Sequence, residues 1–267
     1  MNELIVTKKN FIYTVQKGDT LFSIASRFGS SVKAIEEANH LTPPVTDPGL
    51  IYPGNVLVVP IHLESGRVSY IVKGGDTVSG IASRFSTFTD LVSGINNLNM
   101  NNLIVPDQRL QVPVCIYEIQ FGDTLFAISR RFGISLSRIT KSNQGRPGYQ
   151  EDLIWPKFYL ILPLPTSQNI VVWSPLPGAK VVSGQRVQGQ ARAFEATLNH
   201  ELRDANGVIV SKERFTTADA GAPEYGKFRS TLPFDKMPTA STGELRVFTR
   251  SAKDGSIQDL VRMKVIF

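Results

Sequence analysis

One cassette occurs three times in this chain, and that repetition constrains the fold more than any other feature. Gly18-Asp19-Thr20 recurs as Gly75-Asp76-Thr77 and as Gly122-Asp123-Thr124. A tyrosine stands six residues before each aspartate: Tyr13, Tyr70 and Tyr117. An Arg-Phe pair follows (Arg27-Phe28, Arg84-Phe85, Arg131-Phe132), then an asparagine twenty residues after the aspartate: Asn39, Asn96 and Asn143. Each copy closes on Leu-Ile-x-Pro: Leu50-Ile51-Tyr52-Pro53, Leu103-Ile104-Val105-Pro106 and Leu153-Ile154-Trp155-Pro156. A fixed internal period means one small unit copied in tandem. At roughly 45 residues, such a unit is near the lower size limit for folding without cross-links.

Each copy reads as strand, helix, helix, strand. Phe11 to Val15, Tyr70 to Val72 and Tyr117 to Ile119 are β-branched and aromatic and run into a glycine turn. Asp and Thr then offer side-chain oxygens to the free amides of a first helical turn, so Asp19, Asp76 and Asp123 are expected as helix caps. Leu21, Ile24, Ala25 and Phe28 fall on one stripe, as do Val78, Ile81, Ala82 and Phe85. The third copy has Leu125, Ile128 and Phe132 with Ser129 as a polar slip. Gly29, Ser86 and Gly133 break the first helix. A second short helix follows, with Val32 and Ile35, or Leu136 and Ile139, on its inner face. It stops at the recurring Asn, expected in left-handed geometry. The two strands should pair antiparallel with both helices on one face.

These cassettes closely resemble the LysM domain, over about residues 13–165. The resemblance implies a βααβ module that binds N-acetylglucosamine-containing glycan, peptidoglycan or chitin, in a shallow groove between two loops. Carried onto matching positions, the first repeat offers Gly18, Asp19, Thr20, Leu21 and Phe22 opposite Leu50, Ile51, Tyr52 and Pro53. The second offers Gly75, Asp76 and Thr77 opposite Leu103 and Ile104. The third offers Gly122, Asp123, Thr124, Leu125 and Phe126 opposite Leu153, Ile154, Trp155 and Pro156. The isoleucines are read as core before ligand contact. Tyr52 and Trp155 should turn outward, either onto a sugar or into packing between modules. The second repeat has Val78-Ser79 for Leu-Phe and Val105 for Tyr or Trp, so it is expected to bind weakly or serve as a spacer.

After Pro163-Leu164-Pro165 the period changes to two. Phe194, Ala196, Leu198, His200 and Leu202 alternate with polar residues, as do Val261, Met263, Val265 and Phe267. Asn206-Gly207 and Asp254-Gly255 read as two-residue hairpin turns. About seven short strands over 100 residues suggest an antiparallel β-sandwich. Ser174-Pro175-Leu176-Pro177-Gly178, Val187-Gln188-Gly189-Gln190-Ala191 and Phe248 to Gly255 resemble the immunoglobulin-like domain associated with bacterial spore-germination proteins. The resemblance implies a non-catalytic interaction module in a spore-forming source. The fold class is therefore multidomain, α+β then all-β, with modules at 11–61, 68–114, 115–165 and 168–267.

No catalytic constellation stands out, and no enzyme is expected. The lone Cys115 lies in a strand-like segment and reads as a buried thiol. His40, His62 and His200 are isolated, and His200 reads as a satisfied core histidine. No set has metal spacing, and no cofactor is expected. The net charge is +6 with a pI near 9.4. Basic residues form no run, so no nucleic-acid footprint exists. Met1 to Val15 carries no apolar run, and no segment is long enough to span a bilayer. The sequence thus points to cytoplasmic synthesis and a spore- or wall-associated glycan binder, with a possible spore protein partner for the C-terminal domain. The alternatives are a wall hydrolase or hydrolase accessory with unrecognised activity, and a spore-coat scaffold whose repeats bind protein.

Overall fold

The computed structural model describes residues 5–99 and 101–267, with no side chains described at 62–65. The His62 side chain and the first four residues of the N-terminal stretch read above therefore lie outside what is described.

The repeats begin with β1 (Lys8–Thr14), β3 (Ser69–Ile71) and β5 (Val114–Glu118), each followed by a turn and then α1 (Leu21–Phe28), α3 (Val78–Arg84) or α5 (Leu125–Phe132). The aspartate does not cap the helix; it closes the turn. Asp19 Oδ2 accepts from the Gln16 amide at 2.7 Å and from the Tyr13 hydroxyl at 2.6 Å. Asp76 does the same with Lys73 (2.9 Å) and Tyr70 (2.8 Å), and Asp123 with Gln120 (2.9 Å) and Tyr117. This clamp accounts for the six-residue Tyr–Asp spacing. Burial, reinforced by the neighbouring carboxylate, pushes the Tyr13 and Tyr70 phenols well above their ordinary value. Capping falls to threonine, whose hydroxyl takes the free amide three residues on. Thr20 accepts from Ser23, Thr77 from Gly80 and Thr124 from Ala127, at 3.0, 3.0 and 3.1 Å.

The second helices are α2 (Val32–Asn39), α4 (Thr89–Ile95) and α6 (Leu136–Asn143). Here too the asparagine differs from expectation. In the first repeat the left-handed residue is His40, at φ 51°, and in the second it is Asn97. Asn39 and Asn143 instead bury their side chains completely. Asn39 Nδ2 donates to Ile35 O (2.8 Å) and Val58 O (2.7 Å), while Oδ1 accepts from Val58 N (2.8 Å). Asn143 repeats this with Ile139 and with Ile161 of the closing strand, at 2.8 to 3.0 Å. A short side chain with paired donors and an acceptor thus stitches a helix end to a strand edge. Leu136 also departs from expectation: it is exposed, whereas Ile139 is buried.

The closing strands are β2 (Val56–Ser65), β4 (Arg109–Gln111) and β6 (Tyr159–Pro163), each antiparallel to its own opening strand. The first two repeats do not stop there. β1 pairs parallel with β3, Phe11 opposite Ser69 and Ile12 opposite Tyr70, giving one sheet in the order β2-β1-β3-β4. The chain folds as two compact units, of which the first holds residues to Ser86, Asn99–Ser129 and Ser135–Pro163. At its centre Arg146 is buried, stacked on Phe158 with its guanidinium carbon 4.1 Å from the ring centroid. Its Nη2 donates to Asn39 Oδ1 (3.0 Å) and Ala38 O (3.3 Å) of the first repeat. Its Nη1 donates to Asn143 Oδ1 (3.1 Å) and Tyr159 O of the third.

The second unit comprises Thr87–Leu98, Arg130–Ile134 and Leu164–Phe267. Seven strands among the described residues form its sandwich. They are β7 (Ile170–Ser174), β8 (Gln185–Ala191), β9 (Thr197–Asp204), β10 (Ile209–Thr217), β11 (Gly226–Leu232), β12 (Thr242–Arg250) and β13 (Ile257–Ile266). The sheets run β10-β9-β12-β13 and β11-β8-β7. Leu198, Leu202, Leu245, Val247, Met263 and Val265 meet Val172, Val187 and Phe228 in one core. The alternation expected from Phe194 starts only at Leu198, because Phe194–Ala196 is a 3-10 turn that leaves Phe194 exposed. The hairpin loops are also longer than two residues. Asp204 pairs with Val208 around Ala205-Asn206-Gly207, Gly207 at φ 84°, and Ser251 pairs with Ser256 around a four-residue loop. Within this unit the Tyr225 ring lies directly on Gly94 of α4, in the space that a Cβ at that position would need.

Two outcomes are expected. Asn143→Ala strands the Ile161 amide and carbonyl in an apolar interior and should cost about 2–4 kcal/mol by denaturant unfolding. His200 is buried, with Nε2 on Ser230 Oγ at 2.7 Å and Nδ1 unpartnered; burial, with Arg214 adding, holds its imidazole down to about 4. Above pH 6.5 neither state is protonated there. As pH falls from 6.5 to about 4 the unfolded chain takes a proton the folded one refuses, so stability drops by roughly 3 kcal/mol and then levels. His200→Gln should remove that component from the pH dependence of the denaturation midpoint.

Candidate functional site

In the first repeat the turn at Gly18, φ 89°, and the loop Leu50 to Pro53 flank the start of α1. The residues expected at this groove divide into two sets. Leu21 is buried in the repeat core with Ile51 packed against it, so these two shape the floor. Phe22 is 75% exposed and Tyr52 59% exposed, so two aromatic rings stand outside the fold. The Asp19 carboxylate is turned inward to Gln16 and Tyr13, which leaves the glycine backbone and these rings as the outward surface.

The third repeat encloses a groove of about 510 Å3. Asp123, Thr124, Leu125, Phe126, Leu153 and Ile154 line it, as read from sequence. Leu136, Thr140, Glu151 and Asp152 line it as well and were not read from sequence. Periodicity places Leu136 inward, whereas it stands exposed as the first residue of α6. Phe126 is 60% exposed on one wall, and Leu153 stands exposed on the other. Trp155 does not stand free: it stacks on His40 of the first repeat, ring centroids 5.1 Å apart and 11° from coplanar. The packing reading of Trp155 is therefore the one its geometry supports, and His40 is not isolated. Burial lowers the His40 imidazole below its ordinary value.

The second repeat presents a poorer surface. Val78 is buried, Ser79 carries no ring, and Leu103 and Val105 are the exposed side chains opposite. Ser86 occupies, at φ 51°, the left-handed position that Gly29 and Gly133 fill at 68° and 67°.

Other reactive groups are shut away. Burial pushes the Cys115 thiol up to about 12, so it supplies no thiolate near neutrality. No cluster of three His, Cys, Asp or Glu suited to a metal occurs among the described residues. No helix among them is long and apolar enough to cross a membrane.

Three tandem βααβ units with grooves of exposed aromatic and apolar side chains, followed by an antiparallel sandwich, define a multidomain binding protein. A model of the LysM domain matches residues 13–60, 70–113 and 117–163, and one described as the immunoglobulin-like domain of bacterial spore germination matches 169–256. The chain belongs to the LysM family and carries a spore-germination-type immunoglobulin-like domain after its three repeats. LysM domains bind peptidoglycan-type glycan containing N-acetylglucosamine. The chain is similar to the N-acetylmuramoyl-L-alanine amidase sle1 of Staphylococcus epidermidis, 30% identical over 154 residues, 49% of this chain and 45% of that protein. It is similar to the probable autolysin SsaALP of Staphylococcus aureus, 34% identical over 111 residues, 38% of this chain and 40% of that one. A crystal structure of the Bacillus cereus spore cortex-lytic enzyme SleL shares 30% identity, covering 39% of this chain and 22% of that one at a TM-score of 0.30. The chain spans about half the length of the curated relatives it matches.

The division between floor and wall is measurable. Leu21→Ala should cost about 2–4 kcal/mol of unfolding free energy, whereas Phe22→Ala should stay within about 0.5 kcal/mol of the parent.

Proposed function

We propose that this protein is a non-catalytic wall binder that holds N-acetylglucosamine-containing glycan in the first and third grooves, with the sandwich serving as an interaction module in a spore or cell-wall setting. The supporting observation is the contrast among repeats. Phe22 with Tyr52, and Phe126 with Leu153, expose apolar surface across grooves whose floors are already packed, while the second repeat offers Ser79 and Val105 at the ring positions. An exposed ring gains by lying on a sugar face. The glycine at each turn tip leaves its amides open to an N-acetyl carbonyl. Two weak sites on one chain raise effective concentration along a polymer.

Sedimentation with purified peptidoglycan, spore cortex or chitin tests this. The intact chain should be retained, and Phe22→Ser with Phe126→Ser, which copies the second repeat, should cut retention at least tenfold without changing the melting temperature. Absence of retention by all three polymers sinks the proposal.

The similarity to two wall-lytic proteins favours one second reading, that the chain supplies the glycan-holding part of a hydrolytic system. Zymography separates the two: faster clearing by a wall hydrolase when the chain is added favours the second reading, and clearing by the purified chain alone would overturn both.

A further inference from the structure

Phe121 is the most exposed large apolar side chain among the described residues, at 95%. We infer that its ring, on the turn that leads into the third groove, is an added sugar platform, and that it makes the third repeat the strongest glycan site of the three. The inference rests on the glycan-binding reading above.

The three repeats provide an internal control. The same turn is built three times with the same clamp, an aspartate holding a backbone amide three residues back and a tyrosine hydroxyl six back. The position before the turn glycine is Lys17 in the first repeat, Gly74 in the second and Phe121 in the third. The turn therefore closes with a charged chain, with no side chain or with a ring, so the ring is not required for folding. Nor does it contribute to the core, since almost all of it faces solvent. An unburied phenylalanine gains nothing for stability and adds adhesive surface.

Its placement gives the surface a use. Gly122 follows it at φ 83°, and Asp123 and Thr124 of the same loop, with Phe126 in the first turn of α5, line the 510 Å3 groove. The turn is held at both ends, because the Gln120 side chain also donates to Glu118 O at 2.7 Å. A ring on such a support loses little entropy on binding. The groove lining includes Asp123, Glu151 and Asp152 but no lysine or arginine. With no cation to pair an anionic group, the lining suits the uncharged N-acetylglucosamine units of a glycan. The groove beside that turn thus suits an uncharged pyranose, whose C–H face matches a flat ring.

The test uses the whole chain carrying Phe22→Ser and Tyr52→Val, which gives the first groove the second repeat's residues and leaves the third dominant. Calorimetric titration with chitohexaose should then show binding that Phe121→Lys weakens about tenfold. Phe121→Trp should keep the affinity, and the melting temperature should not move. Lysine is the first repeat's own residue at this position; if that variant fails to fold, Phe121→Gly, the second repeat's residue, takes its place. Affinity unchanged within twofold in a folded variant overturns the inference while leaving the glycan reading intact. Loss of self-association or of vesicle binding instead, with hexaose affinity unchanged, overturns it in favour of a protein or lipid contact. Absence of hexaose binding and of polymer retention by the unaltered chain overturns the glycan reading and this inference with it.

Discussion

The first compact unit depends on one buried guanidinium. A charge taken out of water is expensive unless its donors find acceptors, and in Arg146 both Nη groups do while Nε does not. The hydrogen bonds of Arg146 go to neutral oxygens, those of Asn39, Ala38, Asn143 and Tyr159, and its flat face lies on Phe158. Burial and the nearby Arg84 charge pull its pKa well below the ordinary value. Two of those acceptors are the asparagines that clip helix to strand in the first and third repeats. A device that closes each repeat internally therefore also supplies the contacts that join two repeats. Units too small to be comfortable alone gain their missing interior from each other.

Much of this architecture is legible in the sequence. The strand–helix–helix–strand order, the buried stripes of the first helices and the sandwich alternation after Leu198 all follow from local periodicity. The rest is non-local or depends on side-chain direction. Capping chemistry alone does not separate Asp19 from Thr20, because either oxygen suits an N-cap; the difference lies in Tyr13, which draws the carboxylate back into the turn. The asparagines satisfy a helix-end rule, yet their acceptors and donors lie 18 or 19 residues away on the closing strand. Arg146 reads as one basic residue in a polar loop, since nothing local marks a charge for burial. Trp155 suits sugar or packing equally well in sequence, and its partner His40 is more than a hundred residues distant in the chain. The groove is half legible: the motif positions are, but Thr140, Glu151 and Asp152 lie outside the motif.

The residues common to all copies and those that differ divide the labour. The constant Tyr-Asp-Thr set forms clamps and caps that make the fold. The variable positions, Phe22/Ser79/Phe126 and Lys17/Gly74/Phe121, point to solvent and are tolerated by an unchanged backbone. At these positions divergence lies on exposed surface, so three copies of one fold present three different chemical faces.

The parallel pairing of β1 with β3 carries a consequence for anyone who takes the chain apart. Cutting between the first and second repeats bares one edge of β1 and one of β3, each a row of unpaired amides and carbonyls able to template another strand. Fragments made at that natural-looking boundary would be sticky in a way the parent is not. The first two repeats behave as parts of one sheet before they behave as beads on a string.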